Sequence, residues 1–331
     1  MQSLHVAIQR CLTAALACVC VAIIGASARA QDWPTKPVHF VVPFVPGGAT
    51  DILGRIFSDR LAAKLGQPVI IDNKPGAGGN VGAAFVAKSA PDGHTLFIAS
   101  SPGFTNAVAL SKDAGFDPVR EFVAVTLLAT QSQMLILNTS LAPNTLAEFV
   151  AFAKAQPGKL SYGTPGIGTP HHLAMELFKL TAGIDIVHVP YRGGAPMLQD
   201  ALAGQVPIMF ASYVIAGPHL KAGKLKAIAS TSTRRVPQAP EVVPIAEQGY
   251  PGFDVESWFG LVAPVGTPDA AITRLTREMQ ALQALDEIKE RLLQVGFEPP
   301  PVLSTPEMAE RLKRDVVKWS KVVTDANIKP E

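Results

Sequence analysis

The sequence predicts an α/β protein of two domains, and three observations lead there. The chain has 331 residues, 48% hydrophobic and 17% charged, enough for two packed cores at roughly 100–200 residues per domain. Short strand-like runs alternate with segments of helical periodicity from Val38 onward, the pattern of mostly parallel sheets covered by helices. A strand, a glycine-containing loop and a capped helix follow one another repeatedly, in both halves of the chain.

Residues 1–30 stand apart from this pattern. Met1–Arg10 is polar with one arginine, Cys11–Ile24 is a short apolar run, and Ala28-Arg29-Ala30 is a small-x-small site. The expectation is a secretory signal peptide cleaved after Ala30, too short for the roughly 20 apolar residues of a membrane span. Leu16-Ala17-Cys18 offers a lipoprotein alternative, although Ala15 stands where a larger aliphatic is usual. Cys11, Cys18 and Cys20 all fall in the leader, so the expected mature chain has no disulfide, thiolate nucleophile or cysteine–zinc site. Two of the 29 Lys and Arg residues (Arg10 and Arg29) are also in the leader, leaving 27 against 27 Asp and Glu. A neutral chain without a basic run is a poor partner for nucleic acid. The expected product is an exported, soluble protein.

Val38–Pro43 opens the fold as a strand. Helical spacing follows at Leu53, Phe57, Leu61 and Leu65, with Thr50 expected as cap and Gly66 past the end. Val69–Asp72, a small-residue helix over Asn80–Ala90, and Leu96–Ser100 complete the first βαβ units. Phe122–Ala129 and Gln133–Asn138 are two extended segments. A capping box at Thr145-Leu146-Ala147-Glu148 then opens a helix to about Ala155. Strands are expected at Leu160–Gly163, Ile186–Val189, Ile208–Ala211 and Ala227–Ser230, with helices over Pro170–Ala182 and Ala195–Ala203. Trp258–Pro264 reads as a further strand. The last stretch is helical, with Thr267-Pro268 and Thr305-Pro306 as starts.

Chemistry concentrates in the glycine loops. The first is Pro43-Phe44-Val45-Pro46-Gly47-Gly48-Ala49-Thr50-Asp51, the second Gly163-Thr164-Pro165-Gly166-Ile167-Gly168-Thr169-Pro170, the third Pro190-Tyr191-Arg192-Gly193-Gly194. Helix N-termini expose unpaired amides at a positive dipole end, and glycine lets an anion approach them. In parallel sheets such loops share the carboxyl edge, where ligands bind. Two of them in separate halves suggest a pincer around a small anion, and Arg192 can grip a carboxylate bidentately.

Other readings fit less well. The second loop lacks a P-loop lysine, and Val81 occupies the third glycine of a dinucleotide fingerprint. Ala99-Ser100-Ser101-Pro102-Gly103 resembles a nucleophile elbow, but Ala99 and Ser101 break its Gly-x-Ser-x-Gly spacing, leaving Ser101 with a histidine as the one faint hydrolase candidate. His172 and Glu176 share a helix face as a metal pair would, but no third ligand stands near them in sequence. His39, His94, His188 and His219 read as packing residues. Asp51 would repel an anion, so ordering its own loop is the better role, and Trp258 reads as core.

On these residues the chain resembles the Bug-type (TctC-like) solute-binding proteins of tripartite tricarboxylate transporters. The similarity extends through Trp33-Pro34, Val41-Val42-Pro43-Phe44, Asn73-Lys74-Pro75-Gly76-Ala77-Gly78-Gly79-Asn80, Ala90-Pro91-Asp92-Gly93-His94, Tyr162-Gly163-Thr164-Pro165-Gly166, Val189-Pro190-Tyr191-Arg192-Gly193 and Lys221-Ala222-Gly223-Lys224-Leu225. It implies a type II periplasmic-binding (Venus flytrap) fold, two Rossmann-like lobes with a hinge. One lobe would comprise 31–131 plus 257–331 and the other 132–256. It also implies a monomeric receptor without cofactor, metal or catalytic step. The receptor would hold a small organic carboxylate, partly through ordered water, and deliver it to a two-component membrane permease. Binding would fall to Phe44, Gly47, Gly48, Ala49, Thr50, Asp51, Ser101 and Thr105 from one lobe. The other lobe would offer Thr164, Gly168, Thr169, His171, Tyr191 and Arg192. Where many relatives carry an acid after Ile208–Phe210, this chain has Ala211-Ser212-Tyr213, which argues against an amino-acid amine and favours an acid or aromatic ligand. A sensor feeding a membrane kinase is the alternative use of such a fold.

Overall fold

A computed structural model describes residues 33–111 and 114–328; the expected leader, its cysteines and its cleavage site lie outside the described residues. The first series is β1 (Val38–Val42), α1 (Ala49–Leu65), β2 (Val69–Asn73), α2 (Asn80–Ala87), β3 (Thr95–Ser100), α3 (Ser101–Leu110) and β4 (Phe122–Ser132). The chain then builds β5 (Met134–Asn138), α4 (Leu146–Lys154), β6 (Ser161–Thr164), α5 (Pro170–Ala182), β7 (Val187–Pro190), α6 (Gly194–Ala203), β8 (Ile208–Ala211), α7 (Tyr213–Lys221) and β9 (Leu225–Ser230). It ends with β10 (Glu256–Pro264), α8 (Asp269–Gln283), α9 (Asp286–Gln294) and α10 (Thr305–Asp325).

Two five-stranded sheets result, ordered β2-β1-β3-β10-β4 and β7-β6-β8-β5-β9; we refer to them as lobes 1 and 2. Neither is wholly parallel. β10 runs antiparallel to both β3 and β4, and β5 antiparallel to both β8 and β9. The reason is the route of the chain. β4 runs in the same direction as β1, β2 and β3 and leaves lobe 1 at the edge where they end, so β5 enters lobe 2 at the corresponding edge and must run backwards through it. The return into β10 repeats the logic. At the crossing, Thr231 N donates to Gln133 O (2.9 Å), Gln133 N to Thr231 Oγ1 (3.0 Å) and Val255 N to Thr231 O (2.8 Å). Thr231, just past β9, thus ties both crossing segments, which also pair directly at Ser132 and Glu256.

Helices cover both faces of each sheet. In lobe 1, Phe40, Leu53, Phe57 and Leu61 pack with Met279 and Leu282 on one side. Phe97, Phe104, Phe122 and Trp258 pack on the other. Helix α10 is shared between lobes: Met308 and Leu312 join the Trp258 cluster, whereas Trp319, Val322 and Val323 join the lobe 2 cluster of Phe149, Tyr162 and Phe178. Between these halves, buried Asp315 accepts the Trp258 indole N–H at 2.6 Å.

Several starts differ from expectation by a residue or two. Gly48 is the N-cap of α1, so Thr50 lies buried within the first turn. Ser304, not Thr305, caps α10 in a full capping box with Glu307. Thr145 caps α4, but Glu148 reaches past it to Asn144 N. Thr267 caps nothing; its hydroxyl donates to Pro264 O, and Pro268 is the N-cap residue of α8. Helices α3 and α7 were not expected, because Pro102-Gly103 and Gly217-Pro218 mask their periodicity.

Candidate functional site

In lobe 1 the loops after β1, β2 and β3 converge. A Cβ on Gly103 would lie 2.8 Å from Gly78 O and 3.3 Å from Phe44 Cζ, and one on Gly79 would lie 3.3 Å from Gly103 O. Only glycine permits backbones to approach this closely. Asp51, buried in the first turn of α1, ties the first loop together. Its carboxylate accepts Gly47 N (2.9 Å), Arg55 Nε (2.9 Å) and Nη2 (3.1 Å), and Asn73 Nδ2 (3.1 Å). Asn73 also donates to Phe44 O at 2.9 Å. Hydrogen bonding to Arg55, opposed by burial, holds the Asp51 carboxyl below its ordinary range. The acid at this edge is thus neutralised by protein groups.

In lobe 2 the loops after β6 and β7 are joined by backbone. Tyr191 N donates to Thr164 O (2.9 Å) and Gly193 N to Pro165 O (3.2 Å). Thr164 Oγ1 and Thr169 Oγ1 both donate to Gly166 O, at 3.0 and 2.8 Å. The lobes meet at this loop. Gly168 sits at φ +71°, and a Cβ there would lie 2.8 Å from Leu110 Cδ1 at the end of α3, which would have to shift.

Helices α1, α3, α5, α6 and α7 all begin at these edges, and none has a side-chain hydrogen bond from its N-cap residue (Gly48, Ser100, Thr169, Gly193, Ser212). Of the helices that start elsewhere, α4 and α10 do have one, whereas α8 and α9 do not. Uncapped N-termini leave amide donors and positive dipole ends for an anion.

The expected site residues separate into two groups. Gly47, Gly48 and Ala49 form the accessible start of α1, Phe44 is half-buried against Gly103, and Gly168, Thr169 and His171 form the start of α5. Arg192 is exposed and makes no hydrogen bond or ion pair among the described residues. His171 Nδ1 is buried without a hydrogen-bond partner, and burial takes its pKa down to about 4. Burial, and then the hydrogen bond that its hydroxyl donates to Asp200 (2.6 Å), push the Tyr191 pKa up to about 12. The second group is turned inward. Thr50 is buried, Thr105 is fully buried and donates to Ser101 O (3.2 Å), and Ser101 Oγ accepts Trp258 N (3.2 Å). Thr164 is likewise buried.

Ser101 Oγ has no histidine within hydrogen-bond distance among the described residues. His172 and Glu176 do not form a metal pair: His172 Nδ1 accepts Gly168 N, and Glu176 pairs with Lys179 and Tyr162. Sequence reasoning missed Asn73, Gly103 and the N-terminus of α7. Asn73 carried a signal, as an amide ending a strand before Lys74-Pro75-Gly76.

Residues 53–328 match the family model described as the tripartite tricarboxylate transporter family receptor. The chain is 33% identical over 314 residues to protein BugT of Bordetella pertussis, covering 94% of this chain and 95% of that one. It resembles the structure of R. palustris Rpa4515 with adipate at 35% identity and TM-score 0.72, covering 91% of this chain and all of that one. MatC from Rhodopseudomonas palustris with bound malate is similar at 33% identity and TM-score 0.68, covering 88% of this chain and all of that one.

Proposed function

The chain belongs to the tripartite tricarboxylate transporter receptor family, and we propose that it captures a small organic carboxylate between its lobes and passes it to a two-component membrane permease. The observation that carries this reading is the set of uncapped helix N-termini at both sheet edges, with the nearby acid already neutralised. The amides of the first turn of α1 from Ala49 onward and those of the α5 start would hold carboxylate oxygens, Gly47 N being held by Asp51 and Gly48 N by Val45 O, and Arg192 would supply the bidentate cation as the lobes close. Closure then depends on the ligand's preference for the closed form. Adipate and malate, bound in the two similar R. palustris structures, make aliphatic dicarboxylates the first class to test. The leader reading supports export to the periplasm, and among the described residues no helix is long and apolar enough to cross a membrane.

The test is a thermal-shift panel of mono-, di- and tricarboxylates, aromatic acids, acidic amino acids and sugars on ligand-stripped protein. A bound ligand at a hundredfold excess over Kd adds about 2.7 kcal/mol, which moves Tm by several degrees. A shift confined to carboxylates supports the reading. Silence across the acids with a shift from a sugar or an amine overturns it.

A further inference from the structure

Beneath the Thr164–Thr169 loop lies a stack of three rings. His188 on β7 sits between Tyr162 on β6 (centroids 5.0 Å apart, planes at 23°) and His172 on α5 (4.0 Å, 14°). Each imidazole holds the loop at a different point. His188 Nε2 lies 2.6 Å from Thr164 Oγ1, which itself donates to Gly166 O. His172 Nδ1 accepts the Gly168 N–H at 3.1 Å. The charged groups facing the pair are Glu176 and Lys179 on α5. They bond each other at 2.8 Å, and Glu176 also accepts the Tyr162 hydroxyl.

We infer that His172 and His188 position the lobe 2 loop for its ligand, and that His172 does so only while its Nδ1 carries no proton. The inference rests on the receptor reading above. An imidazole nitrogen accepts a hydrogen bond only through its lone pair; once protonated, Nδ1 would face the Gly168 N–H donor to donor. A charge on either ring would also sit a ring-stack distance from its neighbour, in a site that already disfavours charge. Burial, the largest cause for both, lowers His172 and takes His188 down to about 4. Gly168 is also the point where the loop touches Leu110 of lobe 1. A displaced Gly168 therefore alters both the start of α5 and the contact between lobes.

The experiment uses His172→Asn, whose Oδ1 replaces Nδ1 as acceptor without titrating, and His172→Ala, which removes the acceptor. In ligand-free protein, exchange of the Gly168 amide read by NMR should quicken about tenfold in His172→Ala and return toward wild type in His172→Asn. With adipate as the probe, His172→Ala should bind about tenfold more weakly near neutral pH, and His172→Asn should recover most of that loss. From about pH 7 to about pH 4.5, wild-type affinity should fall severalfold further than that of His172→Asn, the protonation of adipate being common to both. Equal Gly168 exchange in all three proteins overturns the inference, whether or not adipate binds. Parallel pH profiles for wild type and His172→Asn overturn its proton-dependent part. Changed Gly168 exchange in a protein that binds no carboxylate supports the positioning role and rejects the receptor reading.

Discussion

Both lobes end a strand in a glycine loop that feeds an uncapped helix, yet they fasten that loop with different chemistry. In lobe 1 the fastening is ionic: buried Asp51 gathers Gly47 N, Arg55 and Asn73. In lobe 2 it is neutral, made of two threonine hydroxyls, backbone pairs and the stacked imidazoles of His172 and His188. A carboxylate already lowered by Arg55 survives acid well, because its protonation is deferred. An imidazole acceptor does not. The difference teaches that one anion-facing geometry can be built with two sensitivities, and that lobe 2 should fail first as pH falls.

The largest effect expected is on binding. Arg192→Ala should weaken carboxylate affinity by more than about tenfold. It should leave Tm of the free protein unmoved, since Arg192 has no partner among the described residues. An unchanged calorimetric titration would remove Arg192 from the site. Gly103→Ala should follow in size, costing about 1–3 kcal/mol of stability, because the new Cβ must displace backbone. Denaturant unfolding measures it, and a wild-type midpoint would mean the three loops of lobe 1 are looser than described.

Asn73→Ala removes one donor from the Asp51 clasp and from Phe44 O, at about 1 kcal/mol. Its companion Arg55→Met removes two bonds to the buried Asp51 carboxylate and should cost about as much, an effect that shrinks in high salt because Arg55 itself is solvent-exposed. A pH series of Tm sharpens the contrast. His171, His172 and His188 all have folded pKa values below the ordinary 6.5, so the unfolded chain takes up their protons first. Their contribution to stability is complete above about pH 6.5 and is lost as pH falls below it, toward about 4 for His171 and His188. His172→Asn should flatten this profile more than Asp51→Asn does; the opposite ranking would place the acid-sensitive fastening in lobe 1.

Much of the fold was legible from spacing alone. The strand-loop-helix alternation, the glycine loops and the run of apolar residues at Leu53, Phe57, Leu61 and Leu65 report local geometry, which neighbouring residues specify. The family resemblance rested on the same loops, and the family model matches residues 53–328. The reading of Asp51 as a residue that orders its own loop was also within reach, since a carboxylate beside an anion site needs a reason to be there.

Tertiary structure decided what depended on partners far along the chain. Asn73 meets Asp51 across 22 residues, His188 meets Thr164 across 24, and Ser101 meets Trp258 across 157. No period or spacing encodes such pairings, because they arise when separate elements pack on a common sheet. For that reason Ser101 and Thr105 turned inward although their helix starts at the site edge, and His188 left the class of packing residues for a place under the loop. The reversed strand in each sheet has the same origin: the sequence determines that a strand forms at Met134–Asn138 and at Glu256–Pro264, whereas its direction follows from where the chain crosses between lobes.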